Sequence, residues 1–552
     1  MKNNLKYIVS LCAVLLMSAC SKDFLDIEPQ DRLTADNFYK NETEIKAATA
    51  SLYGLPWFDF NDKFFWLVGD VMSGNMYYTY DQEGQFFFFS YNEGNAHLSS
   101  GWKGLFRVVS YANSIINDLP PAAEGKASPE VINEALGEAR FVRALAYYYL
   151  AETWGEVPIV ENSTALVAGN NLLLPKNTRA SVYELIRRDL TFAAENLPSS
   201  DAPGRVTKWA AKGMLAKLHL TMAQNLGDAN SADNFRKAKE FAEDVITNSG
   251  LGLMANYADL FKIENNNNSE SLFAIQWMEG TYAVGNSRQA NWARSSVITG
   301  NSECWGGGKC ASYDLVQNIQ AGDKRQPSIF MTLDNFYPEI NKKNGGYRYD
   351  LVARDPNDQN ITVEGAAPVL NNLKKYIVGS ADDTGGKVST GQATAINQYM
   401  LRLADVYLVY AEAELGANSS TSDAKALQYF NAVHQRAGLA PATSLTFADI
   451  LTERRIEFAM ESNFWFDLKR FYYRDANAAL AYINGQKREY TYQRLTTPNA
   501  PDENTFEGYN LIPPPSQITM TATQINLPIP AAEVVTNPKL APGAPAEDYQ
   551  FN

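Results

Sequence analysis

Glu453, Glu457 and Glu461 step along the chain at helical spacing beside Arg454 and Arg455. Paired carboxylates about 5–10 Å apart serve a glycosidase as acid and base, so Glu453 and Glu457 are one candidate constellation. Carboxylates on one helix face with arginines interleaved also build structural ion-pair networks, and that is the expectation here. No Ser-His-Asp order, HExxH, P-loop or GxGxxG in a strand-helix context accompanies them, so no enzyme is expected. Cys304 and Cys310 flank Trp305-Gly306-Gly307-Gly308-Lys309. In an oxidising compartment two thiols this close are expected to form a disulfide that pins a surface loop. A metal pair is the weaker reading, because Cys-x5-Cys without nearby histidines matches no usual zinc spacing. The histidines are His97, His219 and His434, of which the first two read as satisfied structural residues. Asp355, Asn357 and Asp358 offer oxygen ligands of the kind calcium takes but lack a full loop pattern. No cofactor or metal is expected.

The N-terminus carries a different chemistry. Lys2 and Lys6 precede the apolar run Tyr7 to Met17, and Ser18-Ala19-Cys20 follows. A charged start, a short apolar core and small residues before a cysteine read as a lipoprotein signal over residues 1–19. Cys20 then receives lipid and anchors the mature chain to a membrane surface. The 552 residues are 45% hydrophobic and 12% aromatic, ample for a large core, with a net charge of −14. Losing Lys2 and Lys6 makes the mature chain more acidic still, which argues against nucleic acid or anionic lipid as partners.

Helices must position most of these residues. Ala135, Ala139, Val142, Ala146 and Tyr149 mark a helix over Glu134 to Thr153 with small residues along its seam. Ser181 reads as an N-cap with Glu184 three residues on, in a helix ending at Leu197-Pro198. Lys208 to Gln224 and Leu401 to Gly416 each precede a small, small-or-aromatic, apolar spacing: Ala238, Ala242, Val245 and Ala426, Phe430, Val433. These read as degenerate tetratricopeptide-like helix pairs without a constant period, or as generic helix pairs. The texture changes over 265–391, rich in Asn, Gly, Ser and aromatics, with strand-like pieces such as Leu272 to Trp277. The stretch 57–102 has similar character, and both are expected to be loop-rich. The tail from Tyr490, with Pro513-Pro514-Pro515, cannot hold long helices.

At Arg454-Arg455-Ile456-Glu457-Phe458-Ala459-Met460-Glu461 and Trp465-Phe466-Asp467-Leu468-Lys469-Arg470 the chain resembles the SusD/RagB family of outer-membrane lipoproteins. The resemblance extends to Phe24-Leu25-Asp26-Ile27-Glu28-Pro29, to Glu138 through Ala144, to Trp154-Gly155-Glu156-Val157-Pro158, to Leu401 through Tyr407, and to Asn431 through Leu439. Leu527-Pro528-Ile529-Pro530, Glu533 and Asn537-Pro538 complete it. His434 departs from the family's usual arginine and reads as surface drift. The resemblance implies one mainly α unit over 20–552, with a helical scaffold at about 104–250 and 398–480 and ligand-facing segments at about 57–102 and 265–391. It also implies a non-catalytic receptor that binds oligosaccharide or polysaccharide and sits as a lid on a SusC-like TonB-dependent transporter in the outer membrane. A peptide receptor of the same family is the alternative.

A sugar ring has an apolar C–H face and a polar rim, so its site needs flat aromatics beside amides or charged groups. Trp305 and Trp292 lie in Gly- and Asn-rich surroundings near Arg288, Gln289, Asn291 and Asn301. Asp70 through Tyr78 resembles the family segment leading into its ligand-facing loop, so Asp70, Tyr77 and Tyr78 join the candidate site. Trp66, Trp102, Trp154, Trp209 and Trp465 read as core residues, while Trp277 suits either role.

Overall fold

The computed structural model describes residues 39, 41–227, 229–350, 371–489, 491–495, 508–512 and 518–551. The lipidation residue Cys20, the segment from Phe24 to Pro29, the Asp355–Asp358 cluster and Pro513 to Pro515 lie outside the described residues.

The fold is mainly helical, with tetratricopeptide-like pairs, loop insertions and short strands. Among its helices are α1 (Glu42–Ala50), α2 (Ala96–Ala123), α3 (Pro129–Trp154), α4 (Arg179–Asn196), α5 (Lys208–Asn225), α6 (Ser231–Asn248), α7 (Leu403–Leu415), α8 (Ala424–Arg436), α9 (Phe447–Glu457) and α10 (Phe464–Arg474). From α2 to α6 each helix packs on the next, and α7 returns to pack on α6 and α5. The small residues explain the close stacking: Ala135, Ala139, Val142 and Ala146 are all buried on α3, as are Ala238, Ala242 and Val245 on α6 and Ala426, Phe430 and Val433 on α8. Helix α3 starts at Ser128, whose hydroxyl accepts from Val131 N, and stops at Gly155 with φ 84°, a backbone state that glycine reaches without steric cost. Helix α4 begins earlier than expected. Thr178 rather than Ser181 is its N-cap, accepting from Ser181 N at 3.3 Å.

The stretch 57–102 departs from its loop reading. Residues Phe60–Phe64 and Leu67–Met72 form wide π-helical turns whose Phe60, Phe64, Trp66, Leu67 and Val71 are buried. Helix α2 already begins at Ala96 and pushes these turns into the core. Close approach explains it: a Cβ on Gly101 would lie 2.2 Å from the Phe64 ring, and one on Gly104 2.7 Å from Phe60 N. Pro120 and Pro121 sit inside the last turn of α2, where each lacks the N–H that would bond the carbonyl four residues back, and the helix ends within a turn.

Two short sheets tie the insertion to the helices. Strand β1 (Met76–Tyr77) pairs antiparallel with β3 (Cys310–Ala311), Tyr77 facing Cys310 in register. Strand β2 (Ser271–Ile275) pairs antiparallel with β4 (Gln398–Arg402), bracketing the insertion.

Beneath them lies a buried electrolyte. Glu457 accepts from Arg402 at 2.6 Å, from Arg325 at 2.9 Å and from Arg436 at 2.5 Å. Glu461 accepts from Arg402 and from Lys375, and Glu453 from Arg325. Arg454 reaches Asp467 and Asp405, while Arg470 reaches Asp467 and Glu412. His434 is not surface drift: its Nδ1 lies 2.7 Å from Glu453 Oε2 and its side chain is largely buried. An imidazole thus closes one end of the network.

Candidate functional site

The carboxylates first suspected of chemistry are buried in ion pairs. Glu453, Glu457 and Glu461 are each at most 3% exposed, and Glu457 is held by three guanidinium groups. Burial alone would raise its carboxyl, but Arg436, Arg402 and Arg325 outweigh that and hold it well below the usual carboxylate range. A glycosidic acid needs the opposite, a raised carboxyl open to substrate. The chain is not an enzyme built on these residues.

Several expected ligand contacts turn out to be structural. Trp292 is fully buried, edge-on to Trp66 and Tyr376 and under the Arg288 guanidinium. Arg288 is buried too and donates to Ser462 Oγ at 3.0 Å. Asp70 accepts from Met460 N at 2.9 Å and Ser462 N at 3.0 Å. Met460 and Ser462 have φ of 64° and 66°, so Asp70 clamps a left-handed turn that non-glycine residues resist. Burial pushes the Asp70 carboxyl up to about 6, against the pull of Arg288. Gln289 is buried as well, accepting from Val378 N and Gly379 N and donating to Gly379 O. Asn301 is half-buried and caps the local turn by accepting from Glu303 N.

The disulfide is corrected as well, since Cys304 and Cys310 are both free thiols. Cys310 is buried in β3 opposite Tyr77, whereas Cys304 lies 3.0 Å from Thr299 Oγ1 and donates to Asn301 O. Burial pushes the thiols up to about 12 and about 11. The loop between them is fixed by other means. Trp305 N donates to Ala290 O at 2.8 Å, Gly306 N to Ala293 O at 3.0 Å, and Lys309 Nζ to Trp305 O at 3.1 Å. Gly306 makes this docking feasible, because a Cβ there would lie 1.9 Å from Trp292 O. The Trp305 loop therefore packs against the backbone of Ala290 through Ala293.

Trp305 itself is 49% exposed on that rigid loop. Tyr78 is half-buried beside it, with the Lys309 ammonium 4.2 Å from its ring centroid. Tyr77 is half-buried and turns its ring edge-on to Phe87. From Lys309 a charged row leads away: Glu83 Oε2 lies 4.0 Å off, Lys63 donates to Glu83 Oε1 at 2.5 Å, and Asp62 immediately precedes Lys63 in the chain. Asp62 accepts from Tyr282 Oη at 2.9 Å and from Ser287 Oγ at 2.5 Å. Tyr282 is 48% exposed. Glu303, two residues before Trp305, accepts from Gly391 N and Gln392 N, and a Cβ on Gly391 would sit 3.3 Å from Tyr282 N. Trp305, Tyr78 and Tyr282 are thus held by one polar framework. Burial lowers the Lys309 ammonium to about 8, with Glu83 opposing the shift and Lys63 adding to it. Tyr282, Lys309, Glu83, Lys63 and Asp62 were not singled out from the sequence. Lys309 stood in the Trp305 loop and Tyr282 in the Gly-rich stretch after Trp277, whereas Asp62 gave no signal in its apolar surroundings.

Among the described residues no group of His, Cys, Asp or Glu is placed to hold a metal ion. No helix among them is long and apolar enough to cross a membrane.

Comparison with known proteins follows the same outline. Residues 269–543 match the SusD family, and residues 23–220 match a family described as starch-binding, associating with outer membrane. A SusD-like protein of Bacteroides ovatus is 36% identical over 562 residues, covering 99% of this chain and 98% of that protein. A crystal structure with xylogluco-oligosaccharide superposes with a TM-score of 0.80 at 36% identity, covering 92% of this chain and 99% of that one. A laminarin-binding SusD-like protein shares the fold at a TM-score of 0.67 and 22% identity, covering 90% of this chain and 98% of that one. The arginine-glutamate motif, the helix pairs and matches across nearly the whole chain agree, and the chain belongs to the SusD/RagB family.

Proposed function

We propose that this protein is a cell-surface lipoprotein that captures oligosaccharide or polysaccharide and passes it to a SusC-like TonB-dependent transporter. Cys20 carries the lipid that keeps it at the outer membrane, and it performs no chemistry on its ligand. The observation that carries this reading is Trp305, a half-exposed indole on a loop locked by backbone hydrogen bonds. A flat apolar ring on a backbone that is already fixed keeps the entropy cost of binding low, as a shallow sugar site requires. Tyr78 and Tyr282 extend the apolar surface, and Lys63, Glu83, Asp62 and Glu303 supply donors and acceptors for hydroxyls. Xyloglucan is the first glycan to test, because the 36% identical relative was crystallised with a xylogluco-oligosaccharide.

Native affinity electrophoresis through gels containing xyloglucan and other polysaccharides tests the reading. The wild type should be retarded on at least one glycan. Trp305→Ala should weaken that binding by about tenfold to a hundredfold, the worth of one well-placed aromatic contact, while thermal unfolding stays unchanged. Equal retardation of the variant removes Trp305 from the site. No retardation on any glycan favours the peptide-receptor alternative.

A further inference from the structure

A second concavity is lined by Val378, Asp383 and Thr384, in the segment that packs against Gly300. Ser380 packs against Gly300, where a Cβ would lie 2.5 Å from Ser380 Cβ, and Asp383 three residues on lines a separate cavity of about 220 Å³. Its outer wall is the hairpin pairing Phe336–Tyr337 with Tyr347–Arg348. Phe336 is 50% exposed at its rim, and Phe261, Ile263 and Ile377 make an apolar wall. Lysines and carboxylates both line the cavity, but most are already committed. Lys262 donates to Asp259 at 2.7 Å, Lys342 to Asp383 O at 2.5 Å, and Asp383 accepts from the backbone of Asn341, Lys342 and Ser380.

Lys374 and Glu339 are different. Lys374 is 8% exposed, its Nζ donates to Ile377 O at 2.9 Å, and Glu339 Oε1 lies 3.2 Å away. An ammonium has three N–H donors and a carboxylate several acceptor positions, so this pair keeps one donor and one acceptor side by side. Adjacent donor and acceptor fit the two oxygens of a vicinal diol, one accepting from Nζ and the other donating to the carboxylate. The volume suits one ring, and the apolar wall suits its C–H face.

We infer that this cavity is a second sugar site, taking one neutral pyranose ring through a vicinal diol held by Lys374 and Glu339. The inference rests on the reading of the protein as a glycan receptor. Gly300, five residues before Trp305, packs on Ser380 beside the cavity-lining Val378 and Asp383, so a branched or long glycan is expected to engage both. Simultaneous engagement raises affinity for polymer above that for either piece through effective concentration.

Saturation-transfer NMR on the mature chain with methyl glucoside, methyl galactoside and methyl xyloside at millimolar concentration tests the site. Transfer to at least one glycoside should survive Trp305→Ala. It should fall by about tenfold in Glu339→Gln, which removes a charged hydrogen bond while keeping shape, and should also fall in exposed Phe336→Ala. Near-UV circular dichroism checks that both variants keep the native fold. Transfer abolished by Trp305→Ala, or unchanged by Glu339→Gln and Phe336→Ala, overturns the second site even if polysaccharide retardation persists. Absence of transfer to every glycoside in the wild type overturns the second site while polysaccharide retardation persists, and absence of both removes the glycan-receptor reading on which it rests.

Discussion

The helix carrying Glu453, Glu457 and Glu461 and the loop carrying Trp305 invert the usual placement of residues. Charged side chains normally face water and large aromatics the core. Here Glu457, Arg402 and Arg325 are sealed at no more than 1% side-chain exposure, while Trp305 and Tyr282 stand about half-exposed. Both inversions are costly, and the nature of each cost tells what the region does. Buried charges are tolerated because each has opposite charges in contact, so the cost falls on any change that removes one partner. An exposed indole gains little from burial, and a single exposed apolar side chain is ordinary on a protein surface, so the role proposed for Trp305 stands on the binding experiment.

Glu457 is where the two regions should differ most. Glu457→Gln leaves Arg402, Arg325 and Arg436 facing a neutral group, and unfolding free energy in urea should drop by about 3–5 kcal/mol, with glycan binding by the surviving folded protein unchanged. A stability within about 1 kcal/mol of wild type would show that the network is incidental. Gly306→Ala sharpens the other side. Its Cβ collides with Trp292 O, so the Trp305 loop must lift, with a stability loss of about 1–3 kcal/mol and weakened polysaccharide retardation. Wild-type retardation in this variant would mean that loop rigidity is irrelevant to binding. The smallest effect concerns Lys309. Its folded pKa is lowered to about 8, below the unfolded value of about 10.4, so between these values the unfolded chain binds the extra proton. Stability from this group therefore rises as pH increases through that window, by about 1 kcal/mol between pH 8 and 9. Denaturant midpoints measured across pH 7.5–9.5 should show that slope in wild type and lose it in Lys309→Met; equal slopes would assign it to other groups.

Much of the scaffold was legible beforehand. The seam Ala135, Ala139, Val142 and Ala146 lies within α3, the stop at Leu197-Pro198 ends α4, and Leu272 to Trp277 overlaps β2. Periodicity worked there because one face of each element is buried against one neighbour. It failed over 57–76 because that stretch is buried on nearly all sides, and an aromatic run without a polar face carries no period. Among candidate ligand residues, Trp305 is exposed and Tyr77, Tyr78 and Asn301 are half-buried, whereas Trp292, Arg288, Gln289 and Asp70 are buried. Residue type alone cannot separate these roles, because a buried Asp clamping a turn and an exposed Asp meeting a hydroxyl use the same acceptor chemistry.

By itself, the chain's order of residues determined the helix pairs, the family motif and the presence of an aromatic loop, since each depends on spacing over a few turns of backbone. Tertiary structure decided which aromatics face water, that Cys304 and Cys310 stay apart as thiols, and that Glu457 is a keystone rather than a catalyst. Those outcomes turn on contacts between residues far apart in the chain, such as Gly306 with Trp292 O, Asp70 with Ser462 N, and Arg402 with Glu457. Burial, and the electrostatics that follow from it, belongs to such contacts and not to local spacing.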